Sequence, residues 1–597
     1  MLVLPCFVSF AGSEPSAQAA LPITSKSAEL SRPYQVRFGE RIPVADGITL
    51  SATLVLPLPT DKPRPVILTL TPYSADRYYP IATQYASAGY VAAIVEVRGR
   101  GDSDGRFVPY ENDVSDGLKV IEWLERQPFS NGDIGMRGGS YTGFLQWGLA
   151  ARRPPGLKTI IPGAPPYFGV DSPSYRGVQI PYRMRWYALV AGRQRNGNLN
   201  TDREYWQGLY AELARGEIAL ESLDRESGID SPYWRASLTQ DYLHDLAELL
   251  PTEEELSQVS IPILSITGFY DGAQLGTLSH FRAAIAATDK KTPFYQVIGP
   301  WNHHGVSNPQ SEVGGISFPE AQSRPFEWHL AWFDWVLRGG DKPEYLKDRV
   351  TYFSLGDQRW HGRQGVDQAN SELKLYLSPT MSDEGIASPD SGSLHFQLEQ
   401  KASSSSNQYC WSYDPGRPPI SWGPYFGSLS GGDKHLLNDP LPDQLDGRGL
   451  LFTSDAFERP LQVAGSSELH VQLITDVPDT DLAAVLYALH KDGSRQTLAW
   501  DMLRARYRNG PLGEPQLLEP GKPAEFRFQL TWVAQRLEAG ARLQIMLTSP
   551  GISYFFHRNR NSGGDVAKET LADTRIATLC LSPDPEKNRL ELPLGSL

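Results

Sequence analysis

Cysteine is almost missing from this chain: Cys6, Cys410 and Cys580 are the three in 597 residues. That scarcity excludes a disulfide-dense scaffold and a cysteine-built zinc module. No segment repeats with the 20–50-residue period of a solenoid or propeller. Beyond the N-terminus there is no run of 18 apolar residues, so no transmembrane helix is predicted. Positive charge is in deficit, with 56 Lys and Arg against 69 Asp and Glu, a net charge of −13. A surface of that sign argues against nucleic acid or an anionic membrane as partner. Basic residues are also missing from the first positions. MLVLPCFVSFAGSEPSAQAA (1–20) has an apolar stretch and an Ala-Gln-Ala before a candidate cleavage point after Ala19. It lacks the basic start of an export signal. Residues 1–26 are read as a signal peptide or a disordered N-terminus, and export to the periplasm or medium is expected, a cytoplasmic location being the alternative. Cleavage leaves Cys410 and Cys580, either a disulfide or two buried thiols.

Apolar residues are plentiful, 40 % of the chain with 11 % aromatics, and the length calls for two or three domains. Two strands within 34–57 flank the turn Ala45-Asp46-Gly47. PVILTL (65–70) and YVAAIVEV (90–97) are continuous apolar runs, the pattern of strands buried on both faces of a parallel sheet. Further strands (around Ile134, LKTIIPG, IPILSITG, FYQVIGP) alternate with helical patterns over Asp116–Arg126, Tyr141–Ala151 and Phe326–Leu337. This βαβ order predicts an α/β domain over 27–164 and 259–349. Residues 165–258, rich in Tyr, Trp and Arg, read as helices inserted above the strand C-terminal ends, where such sheets bind ligands. From 350 to 597 short alternating strands such as ELHVQLIT, EFRFQL and RLQIMLTS are separated by turn residues, which predicts an all-β sandwich or jelly roll. Ser378–Ser393 and Ser403–Ser406 read as loops within it.

The chemistry centres on RGGSYTGF (137–144). Gly-x-Ser-x-Gly alone is a weak signal, but here a short strand precedes it and an apolar-faced helix follows. That context makes Ser140 a nucleophile on a tight strand-to-helix turn, with the Tyr141 N–H at a helix start facing an oxyanion. A serine hydroxyl needs a base and an orienting acid. In this fold they follow in the order acid, histidine, on loops at strand ends. GFYDGA places Asp271 just past one strand, and GPWNHHG places His303 and His304 past the next. His280 and His329 fall inside helical patterns and read as packed or surface residues. No third ligand stands at a metal-site spacing from His303 and His304, so neither metal nor cofactor is expected. Tyr73, in TPY after PVILTL, is either a second oxyanion donor or an aromatic at the pocket mouth. In EVRGRGDSDGRF, Arg98 and Asp102 read as structural ion-pair residues.

The combination of TPY, VRGRGDSDG, GGSYTG, SPYWRASL, GFYDG, GPWNHHG, LRARYRNG and HRNRNSGG resembles the cocaine esterase, or X-Pro dipeptidyl-peptidase-like (CocE/NonD), serine hydrolases over nearly the whole chain past residue 34. The resemblance implies an α/β-hydrolase core, a helical cap over 165–258 and a C-terminal jelly roll. It implies Ser140 as nucleophile, Asp271 as triad acid, His303 as base, and Tyr73 with the Tyr141 amide as oxyanion hole. Glu96 stands where the family commonly has Asp. The acidic cluster by which amino-ester hydrolases of the family hold an amine is reduced, after Ala164, to Asp171. The expected activity is therefore hydrolysis of a small carboxylic ester, or an amide, through an acyl-enzyme, with an uncharged acyl group among the cap aromatics. The alternatives are an X-Pro dipeptidyl-peptidase or α-amino acid ester hydrolase, and, in a different class, a non-catalytic carbohydrate-binding protein.

Overall fold

The computed structural model describes residues 33–286, 292–322, 324–381, 387–395, 409–417, 445–510, 512–550 and 556–596. The N-terminal signal segment and the Ser403–Ser406 loop expected above lie outside them.

The apolar runs become strands of one ten-stranded sheet. Its members are β1 (Tyr34–Ala45), β2 (Ile48–Pro57), β3 (Arg64–Thr71), β4 (Val91–Glu96), β5 (Ser130–Gly139) and β6 (Leu157–Gly163), then the strands Ile263–Tyr270, Phe294–Asn302, Val350–Ser354 and Arg359–Arg363. The spatial order is β1-β2-β4-β3-β5-β6, followed by the last four in chain order. Every neighbouring pair from β4 to Val350–Ser354 is parallel, and both margins are antiparallel. A parallel sheet has no wet face, so each strand must be apolar in both directions. Val66, Leu68 and Leu70 of β3 point into one core and Ile67 into the other. α1 (Ala75–Ser87) and the helix Pro325–Arg338 cover the second face through Tyr85, Trp332 and Phe333. α2 (Asp113–Glu125), α3 (Tyr141–Ala151) and the helix Gln274–Ile285 cover the first.

The sheet runs past the limit at 349 expected from sequence, because Val350 pairs beside Gln296 and Arg359–Arg363 folds back on Val350–Ser354. Short alternating strands read alike whichever sheet they join; the partner is chosen by tertiary register. Likewise, much of Ser378–Ser393, expected as loop, lies in the paired strands Ser371–Met381 and Ala387–His395. Cross-strand pairing there overrides a Ser/Pro/Gly-rich composition.

Between β6 and Ile263–Tyr270 the chain forms α4 (Tyr182–Leu189) and the helices Arg203–Arg215 and Gln240–Leu249, among shorter turns. Met184, Trp206, Tyr210, Leu213 and Trp234 give this insertion a core of its own. Arg100, buried in the loop after β4, ties the insertion to the sheet. Its guanidinium donates to the Pro72 carbonyl at 2.7 Å, Val190 at 2.6 Å and Gln194 at 3.0 Å, and also to Gly192.

From Ser371 onward the described chain is a separate β-rich domain of mostly antiparallel pairs. Cys410 and Cys580 face each other across the strands Cys410–Tyr413 and Ala577–Leu581 and form a disulfide, which decides between the two options left by sequence. This domain docks beside Ile263–Tyr270. The Gln274 side chain accepts from the Trp532 N–H at 2.6 Å and donates to its carbonyl at 2.9 Å, and the Trp532 ring stacks on Phe269.

Candidate active site

Ser140 occupies the single residue between β5 and α3, with φ 58° and ψ −128°. That conformation is costly for a side chain bearing Cβ and is held only by its surroundings. Its N–H donates to the Gly163 carbonyl at 2.8 Å. The flanking glycines are required by space. A Cβ on Gly143 would sit 2.9 Å from the Gly163 oxygen, and one on Gly138, at φ +145°, would meet the Thr142 side chain. The Tyr141 N–H lies in the first turn of α3, where no intrahelical acceptor exists.

Asp271 and His303 follow the C-terminal ends of two adjacent parallel strands, Ile263–Tyr270 and Phe294–Asn302. Adjacent strand ends bring residues 32 positions apart into contact: His303 Nδ1 is 2.8 Å from Asp271 Oδ1. Asp271 also accepts from the Ala273 N–H at 2.9 Å and the Thr267 hydroxyl at 3.2 Å, which fix its orientation. Burial pulls the imidazole pKa down, but the charge and hydrogen bond of Asp271, with the field of Asp171, outweigh it and leave His303 above its ordinary value.

Ser140, Tyr141 and His303 line one cavity of about 150 Å³, whose wall includes the aromatics Tyr110, Tyr175, Tyr182, Trp186 and Phe556. Three regions contribute, since Tyr182 and Trp186 come from α4 and Phe556 from the β-rich domain. Tyr73 follows β3. Its hydroxyl interacts with the Ser140 side chain and accepts from the Trp186 indole N–H at 3.2 Å, while burial raises its pKa. The Glu96 carboxylate accepts the Ala75 N–H at 3.0 Å and so supports the turn that carries Tyr73. Beneath Tyr141, its hydroxyl donates to buried Asp113 and accepts the Tyr110 N–H at 2.6 Å. Burial pushes the Asp113 carboxyl up to about 7, against the Tyr141 and Tyr110 bonds that favour its charged form.

Other residues raised by sequence lie elsewhere. His280 is buried, stacked flat on Trp147 and bonded to the Pro166 carbonyl at 3.0 Å; burial takes its pKa down to about 3. His329 is buried near Tyr85, and His304 is exposed beside Asn308. Arg98 pairs with Asp116 at 2.6 Å, not with Asp102. Glu468, His470 and Glu591 cluster in the β-rich domain, but Arg527, Lys374 and Arg589 already pair the carboxylates. Trp186, Tyr110, Arg183 and Phe556 were not expected from sequence. None sits in a motif, and the aromatic richness of 165–258 was the only signal pointing toward α4.

Residues 46–305 match the family model described as X-Pro dipeptidyl-peptidase (S15 family), and residues 346–588 match the X-Pro dipeptidyl-peptidase C-terminal non-catalytic domain. The chain belongs to the CocE/NonD, X-Pro dipeptidyl-peptidase-like family. The cocaine esterase of Rhodococcus sp. (strain MB1 Bresler) is 25 % identical over 94 % of this chain and 99 % of that protein. Two solved structures share the fold. An α-amino acid ester hydrolase aligns with TM-score 0.80 and 21 % identity over 97 % of this chain and all of the other. An aminopeptidase from a marine sediment Thaumarchaeota archaeon aligns with TM-score 0.77 and 20 % identity, over 97 % of this chain and 99 % of the other. Family membership makes the chain a serine hydrolase with an α/β-hydrolase-like N-terminal domain. Among the described residues no helix is long and apolar enough to cross a membrane.

Proposed function

We propose that this chain hydrolyses small carboxylic esters through an acyl-enzyme on Ser140. One observation carries the reading. A strained serine opens into the same cavity as an imidazole whose far nitrogen is held by a buried carboxylate. His303 takes the Ser140 proton as Oγ attacks the ester carbonyl, and Asp271 holds the ring in the tautomer that leaves Nε2 free to accept. The Tyr141 N–H and the Tyr73 hydroxyl receive the oxyanion. His303 then protonates the departing alcohol, and water activated by the same nitrogen releases the acid. The insertion acts as a cap that supplies Tyr182 and Trp186 to the acyl side, and the β-rich domain is read as a jelly roll that closes the wall with Phe556. An acyl group bearing a free amine would have to use Asp171. Each oxygen of that carboxylate accepts a main-chain N–H, from Tyr167 at 2.7 Å and Gly276 at 2.8 Å, and burial raises the carboxyl to about 7, so it offers an ammonium a weaker counter-charge than an ordinary carboxylate, which favours the plain ester.

A fluorophosphonate is expected to label Ser140 and to stop p-nitrophenyl ester turnover. Ser140→Ala should lose both, with kcat lower by about 10⁴–10⁶-fold. Equal labelling of wild type and Ser140→Ala removes the assignment. Export is proposed as well, supported by the disulfide, which persists in oxidising compartments; recovery of the native protein only from the cytoplasmic fraction would count against it.

A further inference from the structure

Among the described residues that line the Ser140 cavity, Arg183 is the one arginine or lysine. It lies on α4, half-buried, next to Tyr182 and one turn before Trp186 and Tyr187. A guanidinium carries five N–H donors. Those given to protein are held by neutral acceptors, the Pro173 carbonyl and the Tyr187 hydroxyl, each at 3.0 Å. The Tyr187 ring also lies beneath the guanidinium, 5.5 Å from its carbon. Among the described residues no carboxylate stands within ion-pair distance of it. Arg98, Arg176 and Arg504 are paired with carboxylates, and the buried Arg100 and Arg185 turn into the fold onto main-chain carbonyls; Arg183 differs from both groups in facing the cavity. The acid on the same wall, Asp171, accepts from the Tyr167 and Gly276 N–H groups and makes no ion pair with Arg183 among the described residues.

Removing a guanidinium from water without a counter-charge is unfavourable, so a side chain of this kind facing a catalytic cavity is arranged for something that enters it. Its planar fork matches a carboxylate better than any neutral group. Arg183 and Ser140 line one cavity with Tyr110, Tyr182 and Trp186, aromatic neighbours that suit a short apolar spacer. We infer that Arg183 is a specificity residue of the acyl site, and that the preferred substrates are half-esters of short dicarboxylic acids, the free carboxylate seated on Arg183 and the ester carbonyl on Ser140. The inference rests on the ester-hydrolase reading above. It also departs from the uncharged acyl group expected from sequence, because the aromatics there concealed one guanidinium among them.

Three ethyl esters of matched length test it, followed by release of the acid: hydrogen glutarate with a carboxylate end, pentanoate with a methyl end, and 5-(trimethylammonio)pentanoate with an ammonium end. Each kcat/KM is divided by the rate of spontaneous hydroxide hydrolysis. Wild type is expected to favour the hydrogen glutarate ester over the pentanoate ester by about 10- to 100-fold. Arg183→Gln should bring that ratio near one, and Arg183→Lys should retain part of it. A wild-type ratio of one or below overturns the inference without any variant having to fold, and so does a preference for the ammonium ester. If no ester is turned over and the fluorophosphonate leaves Ser140 unlabelled, the hydrolase reading itself falls. Turnover of the pentanoate ester with no carboxylate preference leaves that reading standing and removes only the role of Arg183.

Discussion

Replacing Trp186 by Phe probes how the Tyr73 phenol, proposed above as an oxyanion donor, is oriented. The Trp186 indole can only donate, and it donates to the Tyr73 oxygen at 3.2 Å. With a lone pair of that oxygen engaged, the Tyr73 proton is directed away from Trp186, toward the Ser140 side where negative charge develops. Phe keeps most of the ring surface against Tyr141, whose centroid is 5.3 Å away, and removes the donor. A bond at the long end of the N–H···O range contributes about 0.5–1 kcal/mol, which is about a two- to fivefold loss of acylation rate. Loss of the hydroxyl itself, in Tyr73→Phe, costs about 10²–10³-fold. The decisive measurement is a double-mutant cycle on single-turnover acylation rates at saturating ester, so that altered binding at the cavity wall does not enter. If the indole acts through the phenol, Trp186→Phe adds no further loss of acylation rate on the Tyr73→Phe background. Full additivity of the two losses refutes the coupling and leaves Trp186 as a wall residue.

Asp271→Asn should lower kcat by about 10⁴-fold. Asp271 also holds the His303 pKa above its ordinary value, and in the proposed role of base the imidazole works only when neutral. Wild-type kcat/KM should therefore fall as pH drops through that raised value, and the acid limb should move to lower pH in Asp271→Asn; an unmoved limb in the pH–rate profile contradicts the assignment. Arg100→Met leaves buried carbonyls of the insertion without a donor, at a cost of about 2–4 kcal/mol. A lower denaturant midpoint and faster proteolysis within 182–257 should report it. Serine at Cys410 and Cys580 removes a crosslink spanning 170 residues. On loop entropy that is worth up to about 5 kcal/mol, read as a lower midpoint that reductant reproduces in wild type and not in the variant.

The parts of the site that are readable from residues are those governed by local stereochemistry. Gly138 and Gly143 are where a strand must turn sharply into a helix that packs against the Gly163 backbone, and only glycine fits such approaches. Ile263–Tyr270 and Phe294–Asn302 are continuous apolar runs because parallel strands are buried on both faces, and that pattern marks the residues just past their ends. Contacts across the fold carry no such local mark. Trp186 reaches Tyr73 and Arg183 reaches the cavity because an inserted segment is pinned by Arg100 over the sheet, and Phe556 arrives from another domain. Val350–Arg363 could have joined either sheet, and Cys410 meets Cys580 only through strand register. The chain by itself determined the turn, the succession of strands and helices, and the titratable groups placed at the strand ends. Tertiary structure alone decided which aromatic and charged side chains surround them, because those neighbours are set by packing between segments far apart in sequence.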